Sequence, residues 1–389
     1  MRAEIEIGSN LNSGVNGVLL RNCSIASGET NSGQNYIQNF RKNRKLEYAE
    51  LEDYKILAAF KSRRETVLFF LTEKKGHDEN FQIWVKPGMD GVPYHLTEDK
   101  ELEKIDLRFS FSYDYGKLNE FTDFDCILVC AYGVLLTFNE ENEEKKQIAT
   151  DGKLPGKISG ICAFANRMIA TSHGKDEYMW NGLLKPHFEM TEEGMPTGAG
   201  TAASEYSNDL TQAVRRTGSR LAVFTNKTIE MKDVSNDPDL PFQGYLYQNN
   251  YDVGAIVPTI LSLNGTLYFV GEEMRGLRSI YSLADGALKK LTTETQSLLF
   301  DGIFDGAGTM QEGSRTFYCA YGSRSFGMDT SNGSLFEIDG EIIASDGGYG
   351  GAGPNPPPGG SEYPDLLWET GEELIIAEDG QQLSWETRS

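Results

Sequence analysis

Few residues in this sequence could do chemistry, and their spacing limits what that chemistry could be. Histidine, the side chain that titrates nearest neutral pH, occurs four times, at His77, His95, His173 and His187. General acid–base work or metal binding would require a carboxylate or a second ligand close to each of them. All four fall in or beside predicted turns with no such partner, and a lone histidine in a turn reads as solvent-exposed. The five cysteines place Cys126 and Cys130 four apart on one predicted strand and leave Cys23, Cys162 and Cys319 scattered. A metal site would need a second Cys or His pair at ligand spacing, so they read as buried free thiols in a reducing compartment. The stretch "DGIFDGAG" at 301–308 sets Asp301 and Asp305 beside glycines, as a calcium loop would, but lacks the full ligand series and the bidentate glutamate.

Other catalytic signatures are missing in the same way. The Ser-x-Asp-x-Gly-x-Thr-Trp box of sialidases has its nearest counterpart in "SLADGALKKL" from Ser282, which has neither the spacing nor the aromatic residue. No Gly-x-Ser-x-Gly elbow precedes a helix, no phosphate-cradling P-loop is present, and no Gly-x-Gly-x-x-Gly opens a helix. The sequence assigns no catalytic residue, no metal ligand and no cofactor, and the expectation is a protein that is not an enzyme.

Charge narrows the partners. Asp and Glu number 58 against 36 Lys and Arg, a net charge of −22, which opposes a broad grip on a nucleic-acid backbone. The opening "MRAEIEIGSNLNSG" has neither the basic start nor the apolar core of a secretory signal, and no run of eighteen apolar residues predicts a membrane span. Asn-x-Ser/Thr triplets include those at Asn226, Asn264 and Asn332; the last two are Asn-Gly pairs and read as hairpin turns.

Short strands are what this sequence offers to position any functional residue. "GTLYFVGEEMRGLRSIYSLADGALKKLT" at 265–292 holds apolar runs at 266–270, 278–283 and 288–291, separated by residues suited to tight turns. The same three-run unit recurs with first strands starting near Thr66, Phe124, Gly160, Ser219, Gly265 and Arg315, a spacing of about 35–60 residues that suits propeller blades. A single meander cannot bury both of its faces. Radial stacking of such units buries both faces of each sheet and leaves only short edges, which predicts an all-β chain, a β-propeller of about six blades. A large β-sandwich would give strands at similar spacing.

Four regions follow: an N-terminal segment with a closing strand at 1–65, blades at 66–346, a linker at 347–365 and a short acidic β-repeat at 366–389. Residues 18–24 or 3–7 are the candidates for the strand that closes the ring. Arg41, Lys42, Arg44 and Lys45 form the main concentration of positive charge, a possible contact for DNA or an acidic partner, or else a solvated loop face balanced by nearby acids. "GGYGGAGPNPPPGGSEYPD" after Asp346 is too rich in glycine and proline for a packed core and reads as a tether. Beyond it, "LWETGEELIIAEDG" at 367–380 echoes "LFEIDGEIIASDGG" at 335–348. So small a β-repeat buries little alone. Trp368, Leu374, Ile375, Ile376 and Trp385 are therefore expected to dock on a partner by strand addition or self-association, the other reading being a disordered acidic tail.

From about residue 216 to 340 the order of features resembles the tail-hub or nozzle family of short-tailed bacteriophages, also described as packaged-DNA stabilisation or tail accessory proteins. The matching elements are Thr228-Ile229-Glu230, Gly254 ahead of an apolar stretch, "LYFVG" at 267–271 and Ile280-Tyr281. The resemblance implies a virion structural protein assembled in the host cytoplasm, a β-propeller subunit whose copies form a six-fold ring below the portal and adaptor proteins. That ring would extend the DNA channel, help retain packaged DNA without binding it specifically, and meet tail fibre or spike proteins. The alternative is a carbohydrate- or receptor-binding propeller, with Trp84, Tyr94, Trp180 and Tyr321 as stacking platforms on blade turns; core packing is the commoner fate of such residues.

Overall fold

The computed structural model describes residues 20–21, 23–27, 35–39, 44–45, 48–61, 67–77, 80–87, 91–97, 112–116, 126–131, 134–139, 143, 145–147, 158–172, 174–182, 198–205, 209–237, 240–244, 250–263, 265–298, 308–310, 316–321, 324–330, 333–339, 341–342, 367–370 and 373–376. Within them the regular structure is strand, apart from the one-turn helix Glu294–Ser297 and the 3-10 turns Ala49–Leu51 and Val257–Thr259.

Six antiparallel meanders follow one another along the chain. The first is Tyr54–Lys61, Val67–Lys74, Phe81–Pro87 and Tyr94–His95, so the expected boundary after residue 65 falls inside it. The second comprises Ser112–Gly116, Cys126–Ala131, Val134–Phe138 and Lys145–Gln147. Ile158–Phe164, Arg167–Ser172, Glu177–Trp180 and Gly200–Ala203 make the third. Thr211–Thr217, Arg220–Thr225, Ile229–Val234 and Phe242–Gly244 make the fourth. In the fifth, Val253–Ala255 and Leu261–Leu263 both pair with Thr266–Glu273, followed by Arg278–Ala284 and Ala287–Lys290. The sixth runs Gly308–Met310, Thr316–Tyr321, Arg324–Asp329 and Leu335–Asp339, and Leu20–Arg21, within the expected 18–24, adds to its outer edge in parallel. Residues 3–7 lie outside the described residues.

Turn chemistry sets the hairpins. Ala165 and Asn166, at φ of 52° and 56°, and Asp285 and Gly286, at 45° and 84°, supply the two successive positive-φ residues whose twist matches that of the flanking strands. Successive first strands are neighbours. Ile158–Phe164 lies against Ser112–Gly116 and Thr211–Thr217, and Leu261–Leu263 lies against Thr211–Thr217 and Gly308–Met310. Sheets whose first strands line up in this way radiate from a common axis, the arrangement of a β-propeller.

The packing explains why the central strands are apolar on both faces. In Arg220–Thr225, Leu221 and Val223 pack on Cys162, Ile169, Tyr178 and Trp180 of the third meander, while Ala222 and Phe224 pack on Leu267, Phe269, Tyr281 and Leu283 of the fifth. One residue on, Val270 and Ile280 face the other way, onto Phe317, Cys319, Phe326 and Met328 of the sixth. The Phe69 and Phe138 rings meet edge-on at 5.4 Å between the first and second. Each fully buried phenylalanine contributes about 1.5–3 kcal/mol by removal from water, so these interfaces carry the fold.

One further four-stranded sheet is composite. Its order is Glu341–Ile342, Leu367–Thr370, Glu373–Ile376 and Arg44–Lys45, with Glu341–Ile342 lying against the sixth meander.

Candidate functional site

The composite sheet gathers two groups of residues that the sequence treats separately. Ile375 stands in register with Lys45 and Ile376 with Arg44, so the basic strand forms the edge beside the strand of the β-repeat. Trp368 stands in register with Ile342 on one side and Ile375 on the other. The β-repeat expected to need a partner from another chain thus has backbone partners in its own, because residues 341–342 and 44–45 each supply a matching antiparallel edge. Arg41, Lys42 and Trp385 lie outside the described residues.

Among the described residues, those with chemical potential stay apart. His77 is exposed in a turn, and exposed His95 meets Trp84 edge-on at 5.6 Å; His173, His187, Asp301 and Asp305 lie outside the described residues. Cys162 and Cys319 are buried, and burial pushes the Cys319 thiol above its ordinary value, the opposite of what activates a nucleophile. Among the described residues no group of three His, Cys, Asp or Glu could hold a metal ion, and no helix is long and apolar enough to cross a membrane.

The aromatic residues considered as stacking platforms divide. Trp84 is 7% exposed, and its Nε1 donates to Gln82 Oε1 at 3.1 Å. Trp180 is 1% exposed and packs edge-on against Phe242 at 5.8 Å. Both are buried, Trp180 between the third and fourth meanders. Tyr94 is half-buried and its hydroxyl donates to Glu143 Oε2 at 3.4 Å; burial and then the Glu143 charge push the phenol up to about 12. Tyr321 ends the strand Thr316–Tyr321.

Sequence patterning missed two polar clusters, the first of which links the third and fourth meanders. In Ile229–Val234, Glu230 and Lys232 alternate with apolar residues as solvent-facing positions would, yet both are buried. Lys232 Nζ lies 3.0 Å from Glu230 Oε2 and also pairs with Glu205. Glu230 Oε1 accepts from Ser204 Oγ at 2.6 Å and from the Glu205 amide at 2.9 Å. Burial pushes the Glu205 carboxyl up, but hydrogen bonds from Lys232 and Asn250 and the charge of Lys232 outweigh it and leave Glu205 below the usual carboxylate value. Burial, and then the charges of Glu230 and Glu205, push Tyr178 upward. The cluster is a polar clasp in which one ammonium is shared by two carboxylates.

The second cluster pins the turn at 226–228. Thr228 Oγ1 donates to Asp209 Oδ2 at 3.0 Å, the Thr228 amide donates to Thr225 Oγ1 at 2.8 Å, and Thr225 also bonds to Asp209. Gly254 follows from that turn: a Cβ there would lie 2.1 Å from the Asn226 carbonyl oxygen, so no side chain fits. Ile229 and Tyr251 exchange backbone hydrogen bonds, at 2.9 Å each, beside it. The turn-capping signal was visible as Thr-Asn-Lys-Thr at 225–228, but its carboxylate partner, sixteen or more residues earlier, was not.

No family model and no curated protein matches this sequence. Among solved structures, the β-propeller domain of Cps50 (Swd1) from Myceliophteria thermophila is similar over 87% of this chain and 98% of its own, at 9% identity and a TM-score of 0.51. A candidate 6-phosphogluconolactonase from Bacteroides uniformis aligns over 82% of this chain and 96% of its own, at 10% identity and a TM-score of 0.44. The extracellular domain of a candidate hybrid two-component system from B. thetaiotaomicron aligns over 87% of this chain and 39% of its own, at 10% identity and 0.46. Identities this low speak to fold alone, and the first of the three agrees with the radial stacking of the sheets: the chain folds as a β-propeller.

Proposed function

We propose that this chain is a non-enzymatic structural protein of a virion, a propeller subunit of the tail-hub or nozzle ring of a short-tailed bacteriophage. The observation that carries the reading is where the resembling residues lie. Ile229, Gly254, Leu267, Phe269 and Tyr281 are far apart in sequence and meet between the fourth and fifth meanders, while Glu230 faces the third and Val270 and Ile280 face the sixth. Five of the resembling positions thus join two neighbouring sheets, which supports reading them as one structural unit.

Charge supports the same reading. A net charge of −22 contributes no counterion-release affinity for DNA, which suits a subunit past which DNA moves without being held. The rival of a glycan-binding propeller loses two of its four platforms, since Trp84 and Trp180 are interior.

Negative-stain electron microscopy of the purified full chain, alone and mixed with portal and adaptor proteins of short-tailed phages, tests this directly. Discs that join into six-fold rings with an open centre are the expected result. Discs that stay single in both samples and bind oligosaccharides on a glycan array would replace the hub reading with the receptor-binding one.

A further inference from the structure

The composite sheet carries an inference about how copies of this chain are joined. Among the described residues its hairpin, Leu367–Thr370 with Glu373–Ile376, pairs with the rest of the molecule through two edges of two residues each, Glu341–Ile342 and Arg44–Lys45. The two strands that flank Leu367–Thr370 are Glu341–Ile342 and Glu373–Ile376, with Ile342 and Ile375 both in register with Trp368. The slot between Glu341–Ile342 and Arg44–Lys45 is thus specified by short backbone edges, which any copy of the hairpin satisfies equally.

The connection is long enough for that choice to exist. Between Ile342 and Leu367 lie 24 residues, 343 to 366, and they include the glycine- and proline-rich stretch. Fully extended they span up to about 80 Å. A compact chain of 389 residues has a radius of gyration of about 21 Å and is roughly 55 Å across. A hairpin on such a connection reaches its own slot or that of a copy alongside, with identical pairing in both, and local concentration decides between them.

We propose that in the assembled protein the hairpin at 367–376 occupies the slot of a neighbouring copy, so that each subunit is clasped by the next. The occupant is a second copy of this chain. The inference deepens the ring reading and rests on it only in requiring copies side by side.

Thiols introduced at the register pair Lys45 and Ile375 test it. Three samples of full-length protein are oxidised and run on non-reducing gels: the double variant K45C/I375C, a co-expressed mixture of K45C and I375C chains with different tags, and the unsubstituted chain. Exchange gives a ladder of linked chains in the double variant and, in the mixture, a covalent pair carrying both tags that the unsubstituted chain lacks. Links formed only within single chains of the double variant, with none in the mixture, overturn the exchange. So does a failure to link in either sample, because the register itself would then be absent. Imaging of the same samples separates the two readings. Rings with only internal links retain the hub and remove the exchange; linked particles that are not rings do the reverse.

Discussion

The interface between the fourth and fifth meanders and the composite sheet at 341–376 are built from the same kind of short antiparallel strand, yet they hold by different means. At the interface, strands of six to eight residues bury side chains on both faces, and Phe224 meets Phe269 edge-on at 5.4 Å within a continuous apolar cluster. In the composite sheet the joining edges are two residues long and the main bond is register. One is stable because of what it excludes from water. The other is specific in pairing but shallow, and a shallow joint can be exchanged without unfolding the molecule.

The largest effect is expected where apolar contact is densest. Phe269→Ala removes a ring that is 0% exposed and opens a cavity facing Phe224, Tyr281 and Leu267, so a loss of about 3–5 kcal/mol is expected in urea unfolding. A loss below about 1 kcal/mol would mean that the two meanders do not pack in solution. Lys232→Met comes next. It leaves Glu230, at 0% side-chain exposure, facing Glu205 with no cation between them, and about 3 kcal/mol should be lost, the low end for breaking a buried pair because Glu205 is 35% exposed. Adding Glu230→Gln should recover part of that loss, which a simple packing defect at Lys232 would not allow.

Gly254→Ala probes the close approach. Its methyl group would lie 2.1 Å from the Asn226 carbonyl oxygen, so the strand or the pinned turn must shift, at a cost of about 1–3 kcal/mol in the same unfolding assay. Ending the chain at Asp346 should have the least effect of the structural changes. The register pairs that join the hairpin to the rest are worth about 0.2–1 kcal/mol each, and the entropy of ordering the hairpin offsets them. Thermal unfolding of the shortened chain should therefore stay within about 1 kcal/mol of the full one; a collapse of stability would show the hairpin to be part of the core.

The two regions also differed in how well the sequence could be read. In most meanders the last three strands were legible, since runs such as Leu221–Thr225 and residues 267–271 are apolar and end in turn residues. The first strands largely were not. Thr211–Thr217 carries Gln212, Arg215 and Arg216, and the fifth meander's first strand is split into Val253–Ala255 and Leu261–Leu263 around a turn containing Pro258. Neither shows a period of two over any useful length. Arg44–Lys45 was noticed for its charge, because two residues hold no strand pattern at all, and only the backbone of Glu373–Ile376 gives it a place. Glu230 and Lys232 carry no sequence signal of burial for a reason peculiar to this architecture: alternation marks a solvent face only when one face of the sheet is open, and here both are covered.

The smallest prediction concerns pH and tests the polar clasp without removing it. Glu205 has a folded pKa below its ordinary 4.5, because the hydrogen bonds from Lys232 and Asn250 outweigh the opposing effect of burial. Glu273 is likewise held below 4.5, by hydrogen bonds from Lys290 and Tyr281. A carboxylate depressed in the folded state binds fewer protons there than in the unfolded chain, so it contributes stability above pH 4.5 and loses it as pH falls through the folded value. The unfolding free energy should be flat from pH 7 to about 5 as far as these two groups are concerned, and should decline below 4.5. Glu205→Gln should make that decline shallower while leaving the slope near pH 7 unchanged. An unchanged acid slope would show that Glu205 is solvated in the folded protein and that Lys232 is matched by Glu230 alone.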